Sequence, residues 1–179
     1  MKLYYMPEFI TPDAQDSFVS DENGNVIFKI VKDHAGAGFK AHIMDADNKE
    51  VAYIHQKLMA LSLKFIVEVS GREFTFQLKH KLNGACRFET GDKSWRSDGD
   101  LRDHEYDIVA ADGAVFHVRE VSPKDEALSN IYEKIAAVYH NMTQDVREIS
   151  SASEKNAAEV IAVAVACEAA VSLDQANLS

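Results

Sequence analysis

Lys79-His80-Lys81 and Arg87 are the residues whose type and spacing most invite chemistry. On neighbouring strands they would form a basic patch able to hold an anionic phosphate, such as that of a lipid head group. Their surroundings support this: residues 56–96 carry eight Lys+Arg and four Asp+Glu, whereas the whole chain has a net charge of −10. The opposing reading is an ordinary solvated face whose cations pair with nearby acids. Each well-placed cation contributes about 1 kcal/mol at an anionic membrane. A local excess of this size holds a protein only weakly, and the overall negative charge offsets part of it.

Other candidates are less complete. Asp98-Gly99-Asp100 with Asp103, Glu105 and Asp107 gathers the oxygen ligands that Ca²⁺ takes, as does Asp45-Ala46-Asp47-Asn48. Neither has the D-x-D-x-D-G spacing with a terminal bidentate Glu; acidic turn residues explain both, and no metal ligands are assigned. His42, His55 and His117 fall at separate strand positions without a visible acid–base partner. Cys86 lies beside Arg87 and is expected to be exposed, whereas Cys167 lies in an apolar run where burial would make it inert. Two distant cysteines make neither a disulfide framework nor a zinc site. The chain has no G-x-S-x-G, S-x-x-K or P-loop, and Gly36-Ala37-Gly38 is a turn, not a dinucleotide fingerprint. No catalytic residue and no cofactor are assigned, and a binding role is favoured over an enzyme.

The elements that must position these residues are legible in the periodicity. Asn23-Gly24, Asp47-Asn48, Ser70-Gly71, Asn83-Gly84, Asp98-Gly99 and Asp112-Gly113 are hairpin signals, because these residues tolerate positive φ. Between them apolar and polar residues alternate, as in Phe74, Phe76 and Leu78 against Glu73, Thr75, Gln77 and Lys79. Residues 1–122 thus read as ten or eleven short strands without a long helix, which excludes a parallel βαβ arrangement. Trp95 opens one of them and is expected in the core or at a rim.

After Pro123 the period becomes helical. Leu128, Ile131, Tyr132, Ile135, Val138, Tyr139 and Met142 form one stripe, giving an amphipathic helix over 124–142. That stripe would pack across the barrel mouth or dock on a partner. A last strand follows at 143–150, and Ser151-Ala152-Ser153-Glu154 reads as a capping box for a final helix over 153–173. Val160 to Cys167 leaves this helix no polar face. Such a helix must be enclosed on all sides. An eight-stranded barrel has room only for its own side chains, whereas eleven or twelve strands accommodate an alanine-rich helix. The expected fold is therefore mainly β: a closed antiparallel barrel of about twelve strands threaded by its own C-terminal helix.

Met1-Lys2-Leu3-Tyr4, Asp21-Glu22-Asn23-Gly24, Glu50 to Leu58, Gly99 to Ile108 and the helix Ala158–Val171 together resemble the LURP-one-related family within the tubby C-terminal-like superfamily. The Gln56-Lys57-Leu58 and Gly99-Asp100…His104-Glu105-Tyr106 words carry the specificity. The likeness covers most of the chain apart from 123–145 and implies one twelve-stranded barrel domain over 1–179 around a hydrophobic helix. It brings no established reaction. The superfamily implies phosphoinositide binding, as in tubby domains, or the lipid movement and calcium dependence associated with scramblases. Tubby's lipid-binding residues match no motif here. Relatives cross to the last strand by a short aromatic-rich hairpin, whereas this chain inserts Lys124 to Met142.

The resulting expectation is a non-enzymatic module that binds a phospholipid head group or a protein partner on its outer surface. The alternative is a scramblase-like protein whose last helix enters a membrane. A pI near 5.1 excludes broad nucleic-acid binding. No targeting segment is visible, and Ala157–Leu173 carries two carboxylates in a stretch shorter than a bilayer span requires. No transmembrane segment is therefore expected, and a cytoplasmic location, peripheral to the membrane in the lipid-binding case, is the default.

Overall fold

Ser70 and Gly71 have φ of 54° and 72°, the paired left-handed conformation that reverses a two-residue hairpin. Turns of this kind separate the strands of the computed structural model, which describes residues 1–7, 16–60, 62–82, 84–121, 146–153 and 155–178. The strands are β1 (Lys2–Tyr5), β2 (Ser17–Asp21), β3 (Val26–Lys32), β4 (Lys40–Asp45), β5 (Glu50–Gln56) and β6 (Lys64–Val69). They continue as β7 (Arg72–His80), β8 (Cys86–Thr90), β9 (Trp95–Asp98), β10 (Tyr106–Ala110), β11 (Val115–Val121) and β12 (Val146–Ser150). A single helical turn of 3-10 type, Leu101–Asp103, separates β9 from β10. The helix α1 spans Ala157–Leu178.

Successive strands pair antiparallel, and β1 closes the ring by pairing with both ends of the order. Leu3 faces Asp21 of β2 on one side and Ile149 of β12 on the other. Closure removes the free edges that would otherwise invite pairing with another chain. Among the described residues eleven strands precede Pro123, within the ten or eleven that the turn spacing predicts, and the twelfth begins within the expected 143–150. The amphipathic helix expected over 124–142 lies outside the described residues.

Inside the ring runs α1. Every residue from Val160 to Cys167 is at most 1 % exposed. The wall facing it is lined by large side chains, among them Ile30, Ile43, Ile54, Phe65, Phe76 and Phe116, all completely buried. Phe65 meets Phe76 edge-on, and Phe76 stacks on Phe88 with ring centroids 4.6 Å apart. Large residues on the wall and small ones on the helix fill the same tube. Ala162, Ala164 and Ala166 each have no exposed surface, and a larger side chain at any of them must displace the wall.

The start of α1 departs from the capping-box expectation. Asn156 caps it instead, its Oδ1 accepting from the Ala158 amide at 3.0 Å. Ser151 is used elsewhere: its hydroxyl donates to the Val115 carbonyl at 2.6 Å and accepts from the Ser153 amide. Asn156 also donates to the Ser70 hydroxyl at 2.8 Å, tying the helix start to the β6–β7 turn.

One carboxylate interrupts the apolar helix. Glu168 is 4 % exposed and Arg147 of β12 is 5 % exposed. The Arg147 Nε donates to Glu168 Oε1 at 2.9 Å, and the Tyr5 hydroxyl donates to the same oxygen at 3.3 Å. Arg147 also pairs with Glu120, its cross-strand neighbour. The pair fixes the depth and rotation of the helix, which apolar packing alone specifies weakly.

Two outcomes follow. Ala164→Leu should destabilise the protein by about 1–3 kcal/mol through overpacking, read from the urea midpoint at unchanged slope. Glu168→Ala should cost about 3–5 kcal/mol, because it strands the Arg147 charge. Glu168→Leu combined with Arg147→Met should recover most of that loss; additive losses in the double variant would show that the two side chains are not coupled.

Candidate functional site

The up-and-down strand order sorts the loops into two mouths. The β1–β2, β3–β4, β5–β6, β7–β8 and β9–β10 connections share one end with the last turns of α1, here the upper mouth. Met1, the β6–β7 turn and the start of α1 lie at the lower mouth.

At the lower mouth, Arg72, Trp95, Lys155, Asn156 and Glu159 line a cavity of about 490 Å³. Its charges are matched, with Arg72 on Glu159 at 3.0 Å and Lys155 on Asp112 at 2.7 Å. Trp95 is buried, as expected of a core or rim residue, and Lys155 Nζ sits 5.4 Å from the centre of its ring.

The four basic candidates lie at the upper end but do not form one patch. In the β7–β8 register Lys79 faces Arg87, and His80 faces Cys86. Alternation puts Lys79 and Arg87 on the outer wall, while His80 and Cys86 follow Leu78 and Phe88 toward the tube. Lys79 pairs with Glu89, and Arg87 with Asp98 at 3.5 Å. His80 turns inward, its Nε2 lying 3.1 Å from Asp174 Oδ1 near the end of α1. Lys81 projects from the β7–β8 loop with no acid in ion-pair distance among the described residues.

The expected exposure of Cys86 is overturned. It has no exposed surface, because register places it on the inner face beneath the end of α1. Burial, with the Asp174 charge adding to it, pushes its thiol up to about 11. Cys167 is inert for the expected reason: burial raises its thiol well above the ordinary value. The histidines do have partners. His42 contacts Glu50, His55 lies 3.9 Å from Glu68, and His117 Nδ1 lies 2.9 Å from Asp107. These acids come from the neighbouring strand or turn, so linear sequence separates what cross-strand pairing unites. On the outer wall His42, Tyr53 and His55 stack, with centroid spacings of 4.6 Å and 5.1 Å.

The acidic runs do not converge on a cation. Asp45 Oδ1 accepts from the Asp47 and Lys49 amides, completing its own turn. Asp98 and Asp107 are committed to Arg87 and His117. Asp100 accepts from the Cys86 amide at 3.1 Å, the Arg102 amide at 3.2 Å and the Arg102 guanidinium at 2.8 Å. The group of possible metal ligands that does converge among the described residues is His80, Cys86 and Asp174, whose donor atoms lie within 4.8 Å of one another. The sequence reading left these residues apart. The pairing of His80 with Cys86 was discoverable from the Asn83-Gly84 hairpin, but Asp174 enters only through the threading of α1.

The upper loops also carry exposed apolar side chains. Leu58 is half exposed, while Met59 and Leu82 are fully exposed. Met59 has a φ of 60°, a left-handed conformation costing about 1–2 kcal/mol without glycine. Gly38 (φ +80°) packs against this loop: its left-handed backbone favours glycine, and a Cβ there would press on the Leu58 and Gln56 side chains. Beside it, a cavity of about 320 Å³ lies between Phe39, Gln56 and Leu173 of α1.

This geometry defines a class, an antiparallel barrel plugged by its own helix, with recognition left to its mouths and outer wall. The family model for LURP-one-related proteins matches residues 6–168, and the chain belongs to that family. Comparison with curated proteins and with solved structures gave no match.

Asp100 supplies a pH test. The Arg102 guanidinium beside it, with the two backbone amides, holds its carboxyl well below the usual carboxylate range. Its stabilising contribution is therefore complete above the unfolded value of about 3.9 and is lost as pH falls through the folded value. Asp100→Asn should be less stable than the native chain at neutral pH. The gap should narrow only below about pH 4, as measured by urea midpoints across that range.

Proposed function

We propose that the protein is a non-enzymatic binding module that meets an anionic membrane surface with its upper mouth. The observation that carries this reading is the pair of fully exposed apolar residues, Met59 and Leu82, on neighbouring loops of one end. Single exposed apolar residues are ordinary, but several gathered at one end mark an interaction surface, and Met59 is held out at a conformational cost. Lys57 and Lys64 flank the first loop and Lys81 the second, none with an acid partner among the described residues. Several acids of this mouth are paired, Asp33 with Lys40, Asp100 with Arg102 and Asp174 with His80, while the exposed Asp103 has no cation in ion-pair distance among the described residues. Apolar tips flanked by lysines suit an interface whose outer layer is anionic and whose interior is oil.

The magnitudes are modest. Burying two such side chains contributes about 1.5–3 kcal/mol each, and each lysine about 1 kcal/mol. The net charge of −10 opposes approach as a whole, so the contact is weak, reversible and salt-sensitive. The superfamily resemblance to phosphoinositide-binding tubby domains points the same way. The scramblase-like alternative required α1 to enter the bilayer, but α1 is enclosed by the barrel, and no helix among the described residues is long and apolar enough to cross a membrane. Lys79 and Arg87, one register pair on the adjoining wall, would extend the contact if lipid phosphate displaced Glu89 and Asp98.

Co-sedimentation with phosphatidylcholine vesicles, with and without phosphatidylserine, tests the reading. Binding should need the anionic lipid and weaken with salt. It should fall at least tenfold in Met59→Asp/Leu82→Asp and in Lys57→Glu/Lys64→Glu/Lys81→Glu. Equal sedimentation with both vesicle types, or self-association of the native chain abolished by Leu82→Asp, would overturn it in favour of a protein-binding mouth.

A further inference from the structure

We propose that His80, Cys86 and Asp174 form a binding site for a divalent transition-metal ion of the zinc type at the upper mouth of the barrel. The three residues come from β7, β8 and α1 and offer an imidazole nitrogen, a thiolate sulfur and a carboxylate oxygen. That set suits a borderline-soft ion and not Ca²⁺ or Mg²⁺, which take oxygen ligands. The donor atoms lie within 4.8 Å of one another, and His80 Nε2 and Asp174 Oδ1 are 3.1 Å apart. Tetrahedral zinc bonds of about 2.0–2.3 Å place ligands roughly 3.3–3.8 Å apart. The remaining closure falls to His80, whose side chain is about half exposed.

Two independent features point to a cation there. Asp174 Oδ2 is buried and has no hydrogen-bond partner, so one lone-pair face of this carboxylate is unanswered. Asp174 also lies near the C-terminal end of α1, whose last turn has no basic residue. The helix dipole and the carboxylate therefore place negative charge on negative charge, which a bound cation would relieve. The nearby protein cation, Arg102, is held away by Asp100 and the Gly84 carbonyl. Asp100 meanwhile grips the Cys86 amide at 3.1 Å and fixes the backbone that carries the thiol. Binding displaces the thiol proton to solvent. Three protein ligands leave a fourth position open at the mouth, where water would complete the set. The ion would clamp the end of the central helix to the barrel wall and thereby stabilise the folded state. The inference is independent of the membrane reading, and its test uses no lipid.

The full chain, stripped by a chelator, would be titrated with Zn²⁺ against a chromophoric chelator and separately with Co²⁺. One equivalent should bind, with a sulfur-to-cobalt charge-transfer band, and Zn²⁺ should raise the melting temperature. Cys86→Ser should abolish the band, and His80→Gln and Asp174→Asn should each weaken Zn²⁺ at least tenfold. His80 is exposed, so its replacement leaves the fold intact and carries the test should Cys86→Ser fail to fold. Absence of the charge-transfer band, or Zn²⁺ affinity unchanged in both His80→Gln and Asp174→Asn, would overturn the assignment.

Discussion

The whole structure depends on enclosing a helix that has no face fit for water. From Val160 to Cys167 every side chain is buried, and an open sheet would cover only one side of such a rod. A closed wall of twelve strands covers all of it, which makes barrel and helix mutually dependent. Without the helix the tube would hold a cavity lined by phenylalanine and isoleucine. Without the tube the helix would be an aggregation hazard. The one charge the helix carries into the interior, Glu168, is answered by Arg147 and Tyr5, so the rod is keyed in place as well as enclosed.

A filled interior decides where function can reside. One cavity borders each end of the helix, and the loops, mouths and outer wall face solvent. On the wall, charge is largely cancelled by cross-strand pairing, as with Lys79 and Glu89 or His117 and Asp107. The lower mouth is similarly balanced. The upper mouth differs: it combines exposed apolar tips, lysines without acid partners among the described residues, and His80, Cys86 and Asp174 where the helix ends. These features gather at the end where the helix finishes and the loops are longest.

The acidic runs show why local composition misleads about chemistry. Asp45 and Asp100 stand in sequences that resemble fragments of a calcium loop, yet their oxygens are consumed by backbone amides and by Arg102. A carboxylate in a tight turn first satisfies the turn's own donors, because an unpaired amide is costly. The isolated histidines teach the converse. Each looked solitary in one dimension and acquired a partner from the adjoining strand or turn in three.

The amino-acid order alone determined a closed antiparallel barrel of about twelve strands and the burial of the final helix, because these follow from local periodicity and the need to hide apolar surface. It also determined the inertness of Cys167, which ends an apolar run that must be buried. Only the tertiary structure decided that Asn156 caps the helix, that Cys86 faces inward, and that the basic residues near position 80 divide between wall and mouth. Those outcomes depend on register and on how far the helix reaches along the tube. A shift of one residue in register turns a side chain from one face to the other, and the meeting of Asp174 with His80 spans 94 positions of sequence. Local pattern carries no record of a contact made at that distance.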